Sequence, residues 1–108
     1  MYPSMNSSDE SHLIITIQSK PEHQTQIREL LLAQVDPIRR EAGCLYYNLF
    51  QPTEDLHTFI ILTGWATKEA LDVHQSQPQA IRVVGQLTPL LARPIQSLST
   101  RRLSENPV

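Results

Sequence analysis

Two stretches in the middle of this chain, CLYYNLF (Cys44–Phe50) and TFIILTGW (Thr58–Trp65), are apolar at odd and even positions alike. A strand with no polar face is a strand covered on both sides. The remaining sequence holds helix enough to cover one side of a small sheet. The other side must therefore meet something else, and a second copy of the chain is the expectation.

The flanking patterns supply the rest of the sheet and its cover. HLIITIQ (residues 12–18) is a short β-branched run closed by the turn-like SKP, and reads as a first strand. From Glu22 the period changes, and Ile27, Leu30, Leu31, Val35 and Ile38 recur at three- and four-residue steps as one helical stripe. Pro37 removes a backbone donor and is expected to kink this helix, and Gly43 to end it in a left-handed turn. Thr67 is placed to cap a helix over KEALDVHQS. Pro78 opens a further helix with Ile81, Val84, Leu87 and Leu91 as its stripe, and Pro89 breaks it. Pro94 precedes a weakly alternating stretch, IQSLSTRRL, which suits an edge strand. The order strand, helix, strand, strand, helix, strand is the ferredoxin-like βαββαβ arrangement, an α+β fold with an antiparallel sheet.

Composition removes several function classes. A net charge of −2 with no basic block gives a phosphate backbone nothing to follow, so nucleic acid is not expected as a partner. Arg39-Arg40 and Arg101-Arg102 are isolated pairs. Cys44 is the only cysteine, which excludes an internal disulfide and fits a reducing, cytoplasmic setting. The opening MYPSMNSSDES lacks the apolar run of a signal peptide, and no stretch approaches the roughly 18 residues that span a bilayer. The expected organisation is a polar tail at 1–11, one domain at 12–103 and a short tail at 104–108.

Strand alternation puts Phe59, Ile61, Thr63 and Trp65 on one face and Ile60, Leu62 and Gly64 on the other. On the following helix His74 shares a face with Ala70 and Leu71, so it is expected to point at the sheet. A half-buried histidine bonded to a backbone carbonyl is the plain alternative to a functional one. Tyr47 goes with Leu45 and Leu49, and Asn48 with Tyr46 and Phe50, so Tyr47 and Asn48 should not line one pocket. His12, His23 and His57 fall at element ends and read as solvent-exposed. Asp9, Glu10 and the other carboxylates show no paired spacing.

With the elements placed, DPIRREAGCLYYNL, FIILTGW and ATKEALDVHQSQP together resemble the antibiotic biosynthesis monooxygenase family of dimeric α+β barrels. The family pattern matches at Cys44 and Leu45 with a tyrosine three positions after the cysteine, Tyr47, and at Trp65, Ala70, Leu71 and His74. The resemblance implies a homodimer whose two sheets pack face to face, with a ligand pocket between sheet and helices in each subunit. Relatives include cofactor-free oxygenases of quinols and phenolic compounds, haem-degrading enzymes and an isomerase of a phosphorylated sugar. Haem-degrading relatives carry an asparagine where Ile14 stands and an iron-binding histidine near Val83 and Val84, which disfavours haem here. Two other departures are Thr63-Gly64, where many relatives have a glutamate before the tryptophan, and Gln79-Ala80, where a histidine and an aromatic often follow the proline.

The activity implied is a cofactor-independent monooxygenase acting with O2 on a small quinol or hydroxyaromatic. Ground-state oxygen accepts electrons singly, so an enzyme without a redox group must make its substrate the reductant. His74 would take the phenolic proton, Trp65 and Tyr47 would hold the ring, and Phe59, Ile61, Thr63 and Leu71 would line the substrate site. Two alternatives stand beside it: a non-catalytic small-molecule-binding dimer, and an isomerase or lyase using the same base on an enolisable carbonyl compound.

Overall fold

The structure is a computed structural model and describes residues 9–105. Most of the polar tail expected at 1–11, and the last residues of the one expected at 104–108, lie outside that range. Strand β1 is Ser11–Gln18, one residue longer than expected at its start. A single 3-10 turn at Pro21–His23 leads into α1, Gln24–Arg39. Strands β2 (Cys44–Phe50) and β3 (Thr58–Trp65) come next, then α2 (Lys68–Ser76), α3 (Pro78–Leu87) and β4 (Gln96–Thr100). The sheet order is β2-β3-β1-β4 with every neighbouring pair antiparallel, which is the α+β ferredoxin-like arrangement expected.

Local chemistry accounts for the boundaries. The Thr67 side chain accepts a hydrogen bond from the Ala70 amide at 3.0 Å, capping α2. Gln77 is extended, as a residue before proline prefers, and this separates α2 from α3. Beyond α3, Pro89 limits the helical path to one 3-10 turn. Helix α1 runs through Pro37 to Arg39. Pro37 lies in its last turn, where the carbonyl it leaves without a donor, that of Ala33, belongs to an exposed residue. Gly43 does not end that helix. It takes a positive φ of 83° four residues later, at the entry to β2.

The inner face of the sheet carries the core. Ile17, Ile27, Leu31, Phe59, Ile61 and Leu87 form the larger cluster, and Leu13, Ile38, Trp65 and Leu71 the smaller. Trp65, Phe59 and Ile27 are sealed from solvent, and burying a side chain of that size stabilises the fold by about 1.5–3 kcal/mol. Four further sequence readings need correction. A register shift between Cys44 and Tyr46 turns Leu45 outward, so Leu45 does not share the Tyr47 face. On α3 the buried residues are Val83 and Leu87, whereas Ile81 and Val84 are exposed. Strand β4 covers five residues only, all exposed.

The fourth correction concerns His12, which is buried, not exposed. It pairs with Gly64, and Gly64 with Tyr46, so both rings lie on the outer face with a glycine between them. A Cβ on Gly64 would fall 2.3 Å from Tyr46 Cε2 and 2.9 Å from His12 Nδ1, so only glycine lets the rings meet there. His12 Nδ1 lies 2.7 Å from Tyr46 Oη, and Nε2 lies 2.9 Å from Glu10 Oε1. Glu10 also accepts from Arg102 Nη2 at 2.8 Å. Hydrogen bonds from Arg102 and then from His12 hold the Glu10 carboxyl below its usual range. A polar belt thus borders one end of an outer face that carries Ile14, Leu62, Ile60, Leu98 and Phe50 together with Thr16, Asn48 and Gln96.

Candidate functional site

Between the inner face and the helices lies an open cavity of about 430 Å³. Its floor is Ile15 and Ile17 of β1, Ile61 of β3 and Tyr47 of β2; Leu31, Gln34 and Ile38 of α1 form one wall, and α3 forms the roof. His74 and Gln75 enter from α2. Ile81 and Val84, exposed to solvent, line it too, so the first part of the expected α3 stripe faces a hollow while Leu87 packs in the core.

His74 is the best-defined polar group there. Its ring stacks on Trp65, with centroids 4.7 Å apart and planes inclined by 21°. Its Nδ1 lies 2.9 Å from Glu41 Oε1, and the two side chains are 18% and 27% exposed. An ionised carboxylate can only accept, so Nδ1 carries the hydrogen. In the neutral ring Nε2 then keeps its lone pair, and it has no hydrogen-bond partner among the described residues. An imidazole held this way is a proton acceptor, with the carboxylate placed to stabilise the cation that forms.

Glu41 arrives through the turn between α1 and β2. At Gly43 a Cβ would come within 2.5 Å of the Ala70 Cβ, so the turn is pressed against α2 closer than any side chain allows. The Ala66 amide donates to the Gly43 carbonyl at 2.7 Å, pinning that approach. Glycine at 43 and alanine at 70 are therefore what bring a residue of one helix end alongside a histidine 33 positions away.

The other expected site residues separate into two groups. Tyr47 and Ile61 line the cavity with His74. Burial, reinforced by the nearby Cys44 and Glu41, pushes the Tyr47 phenol up to about 12, so it stays protonated across the physiological range. Its hydroxyl makes no hydrogen bond among the described residues. Trp65 lies behind His74, wholly buried, its Nε1 without a hydrogen-bond partner. Leu71 packs against it. Thr63 is buried with its hydroxyl donating to the Tyr46 carbonyl at 3.0 Å, and Phe59 sits in the core beside a separate small hollow. None of these last four lines the cavity.

Asn48 faces away from the cavity, and its Oδ1 accepts from Arg39 Nη2 at 2.9 Å within the chain. Glu41, Gln34, Gln75 and Ser97 were not anticipated. For Glu41 the available signal was the small-residue pair Gly43 and Ala70, which allows close approach but does not name the partner. Among the described residues no three His, Cys, Asp or Glu side chains gather as a metal site would need, and no helix is long and apolar enough to cross a membrane.

The chain is similar to known proteins over most of its length. The family model described as antibiotic biosynthesis monooxygenase matches residues 11–86. The solved structure of PA3566 from Pseudomonas aeruginosa is 33% identical and has a TM-score of 0.84, over 92% of this chain and 99% of that one. "Putative monooxygenase Rv0793" of Mycobacterium tuberculosis is 29% identical over 83 residues, 77% of this chain and 81% of its own length. Its structure gives a TM-score of 0.83 over 89% of this chain and 97% of that one.

Proposed function

Because the chain belongs to the antibiotic biosynthesis monooxygenase family, we propose that it is a monooxygenase that oxidises a small quinol or hydroxyaromatic with O2, using no bound cofactor. The observation that carries this reading is the His74–Glu41 pair at the edge of an apolar cavity, with one imidazole nitrogen committed to the carboxylate and the other left as a base.

The chemistry starts from that base. His74 Nε2 takes a proton from the substrate hydroxyl, and Glu41 stabilises the resulting imidazolium. The anion passes one electron to O2, and the radical pair joins to form a carbon–oxygen bond. The imidazolium returns its proton to the peroxide, and loss of water from the C–H carbon leaves a carbonyl. One substrate CH2 equivalent and one O2 thus give one C=O and one H2O. Tyr47, neutral in its buried setting, can donate a hydrogen bond to the oxygen that becomes negative. The largely apolar lining limits protonation of the carbanion by water.

An oxygen electrode with a panel of hydroquinones and naphthols tests the proposal. Uptake above the uncatalysed rate is expected, and in His74→Ala it should fall by about 10²–10⁴-fold, the usual worth of a positioned base. No uptake with any compound would refute oxidation and leave a binding protein, or an isomerase that uses the same base on an enolisable carbonyl.

A homodimer is part of the proposal. Ile14 and Leu98 pair across the outer face, next to Leu62 and Ile60, and Phe50 continues the patch. Ile14, Phe50 and Leu98 are 37%, 50% and 60% exposed, an apolar band that a second copy would cover. A cytoplasmic location fits the single cysteine.

A further inference from the structure

The cavity has a direction. The sheet register orders the floor residues along the strands: Tyr47 at the level of Thr63, then Ile15 and Ile61 with Ser97 beyond, then Ile17 at the level of Phe59, Thr63 and Phe59 themselves lying outside the lining. From the Thr63 row to the Phe59 row is four residues of β3, or roughly 14 Å at about 3.4 Å per residue. Tyr47 sits at the first row and His74, stacked on Trp65, beside the end beyond it; the other polar side chains of the lining are Ser97 at the middle row and Gln34 and Gln75 on the helices. The last row offers only hydrocarbon: Ile17, Leu87 and Ile95, which pack into one cluster. Among the lining residues there is no Lys, Arg, Asp or Glu, so a charged substituent carried inward would lose its water without compensation. Ile81 and Val84, 62% and 48% exposed, border the space, and an apolar occupant would cover them.

We infer that the cavity takes an amphiphile lengthwise, with a hydroxylated ring against His74 and Tyr47 and an uncharged hydrocarbon substituent reaching Ile17, Leu87 and Ile95. This names the substrate class for the activity proposed above and rests on that reading for the ring; the hydrocarbon half stands on the lining alone. A fused two-ring head occupies about half of the roughly 14 Å. The rest holds a chain of about five carbons at about 1.5 Å per bond, shortened by its zigzag. Ile95 is the residue that reads the chain's end.

The test uses 2-alkyl-1,4-naphthoquinones carrying methyl, pentyl or decyl chains, already oxidised and so not turned over. Binding is monitored by equilibrium dialysis and by quenching of Trp65, the one tryptophan, stacked on His74. Kd should fall at least tenfold from methyl to pentyl, within the limit of about fourfold per methylene, and then level off to decyl. In Ile95→Phe the pentyl advantage should shrink below threefold while the methyl compound binds as before. A Kd indifferent to chain length, or one falling as steeply from pentyl to decyl, overturns the inference, as does an Ile95→Phe loss equal for all three. Should that variant lose its circular dichroism, the wild-type series decides alone. A silent oxygen electrode with chain-dependent binding refutes the oxidation and spares this inference; oxygen uptake with chain-independent binding does the reverse.

Discussion

Replacing Gly43 with alanine tests how the His74–Glu41 pair is assembled. The new Cβ would stand 2.5 Å from the Ala70 Cβ, at least about 1 Å inside a normal carbon contact. The backbone there has φ +83°, a conformation that costs an L residue about 1–2 kcal/mol. Overpacking adds about 1–3 kcal/mol, so Gly43→Ala should destabilise the fold by about 3 kcal/mol in all. Ala70→Gly removes the opposing methyl, and the nearest remaining atom, the Ala70 Cα, lies at an ordinary 3.9 Å. That change alone should cost about 1 kcal/mol of helix propensity. Additive costs would give about 4 kcal/mol for the double variant, whereas relief of the clash should bring it to about 2–2.5 kcal/mol, a coupling of about 1.5–2 kcal/mol. Urea unfolding monitored by Trp65 fluorescence, at one fixed protein concentration, measures all four proteins. Additivity within about 0.5 kcal/mol would show that the turn is not pressed on α2, and the account of how Glu41 reaches His74 would fall with it.

Glu41→Gln keeps an acceptor for Nδ1 but removes the charge facing the imidazolium; kcat for oxygen uptake should drop by at least about tenfold with KM little changed, and an unchanged kcat would remove Glu41 from the mechanism. Tyr47 supplies a pH test. Its folded value is raised to about 12 against about 10 in the unfolded chain, so the unfolded state releases the proton first. Stability should therefore be intact below pH 10 and decline between about pH 10 and 12, by up to about 2–3 kcal/mol. Tyr47→Phe should flatten that decline in urea midpoints measured across the window, and an equal decline in both proteins would contradict the assigned burial.

The sequence carried the strands well, because runs apolar at every position have few places to go other than the middle of a sheet. Thr67 and the prolines at 78 and 89 marked helix limits through chemistry local to the chain. What escaped was information held between distant segments. The stripe Ile81–Val84 announced an apolar face but not that the face overlooks a hollow. His12 is terminal along its strand, yet its burial depends on Gly64 and Tyr46, which only register brings opposite it. Glu41 sits in a turn with nothing nearby in sequence to mark it, and its partner is supplied by a helix two strands later. Trp65, Tyr47 and His74 were picked out together, and the structure gathers them around one ring stack and one cavity edge, with Trp65 as the backing and not the wall.

Tyr46 and Tyr47 are chain neighbours that serve opposite sides of the sheet, the first bonded to His12 on the outer side and the second lining the cavity. The Tyr46 carbonyl is also held by Thr63 from the inner side. A single peptide unit therefore separates the surface where a twin would settle from the chamber where a ligand would sit. A change in how the Tyr46 ring packs would reach the Tyr47 side chain through that one peptide unit, about 3.8 Å from Cα to Cα.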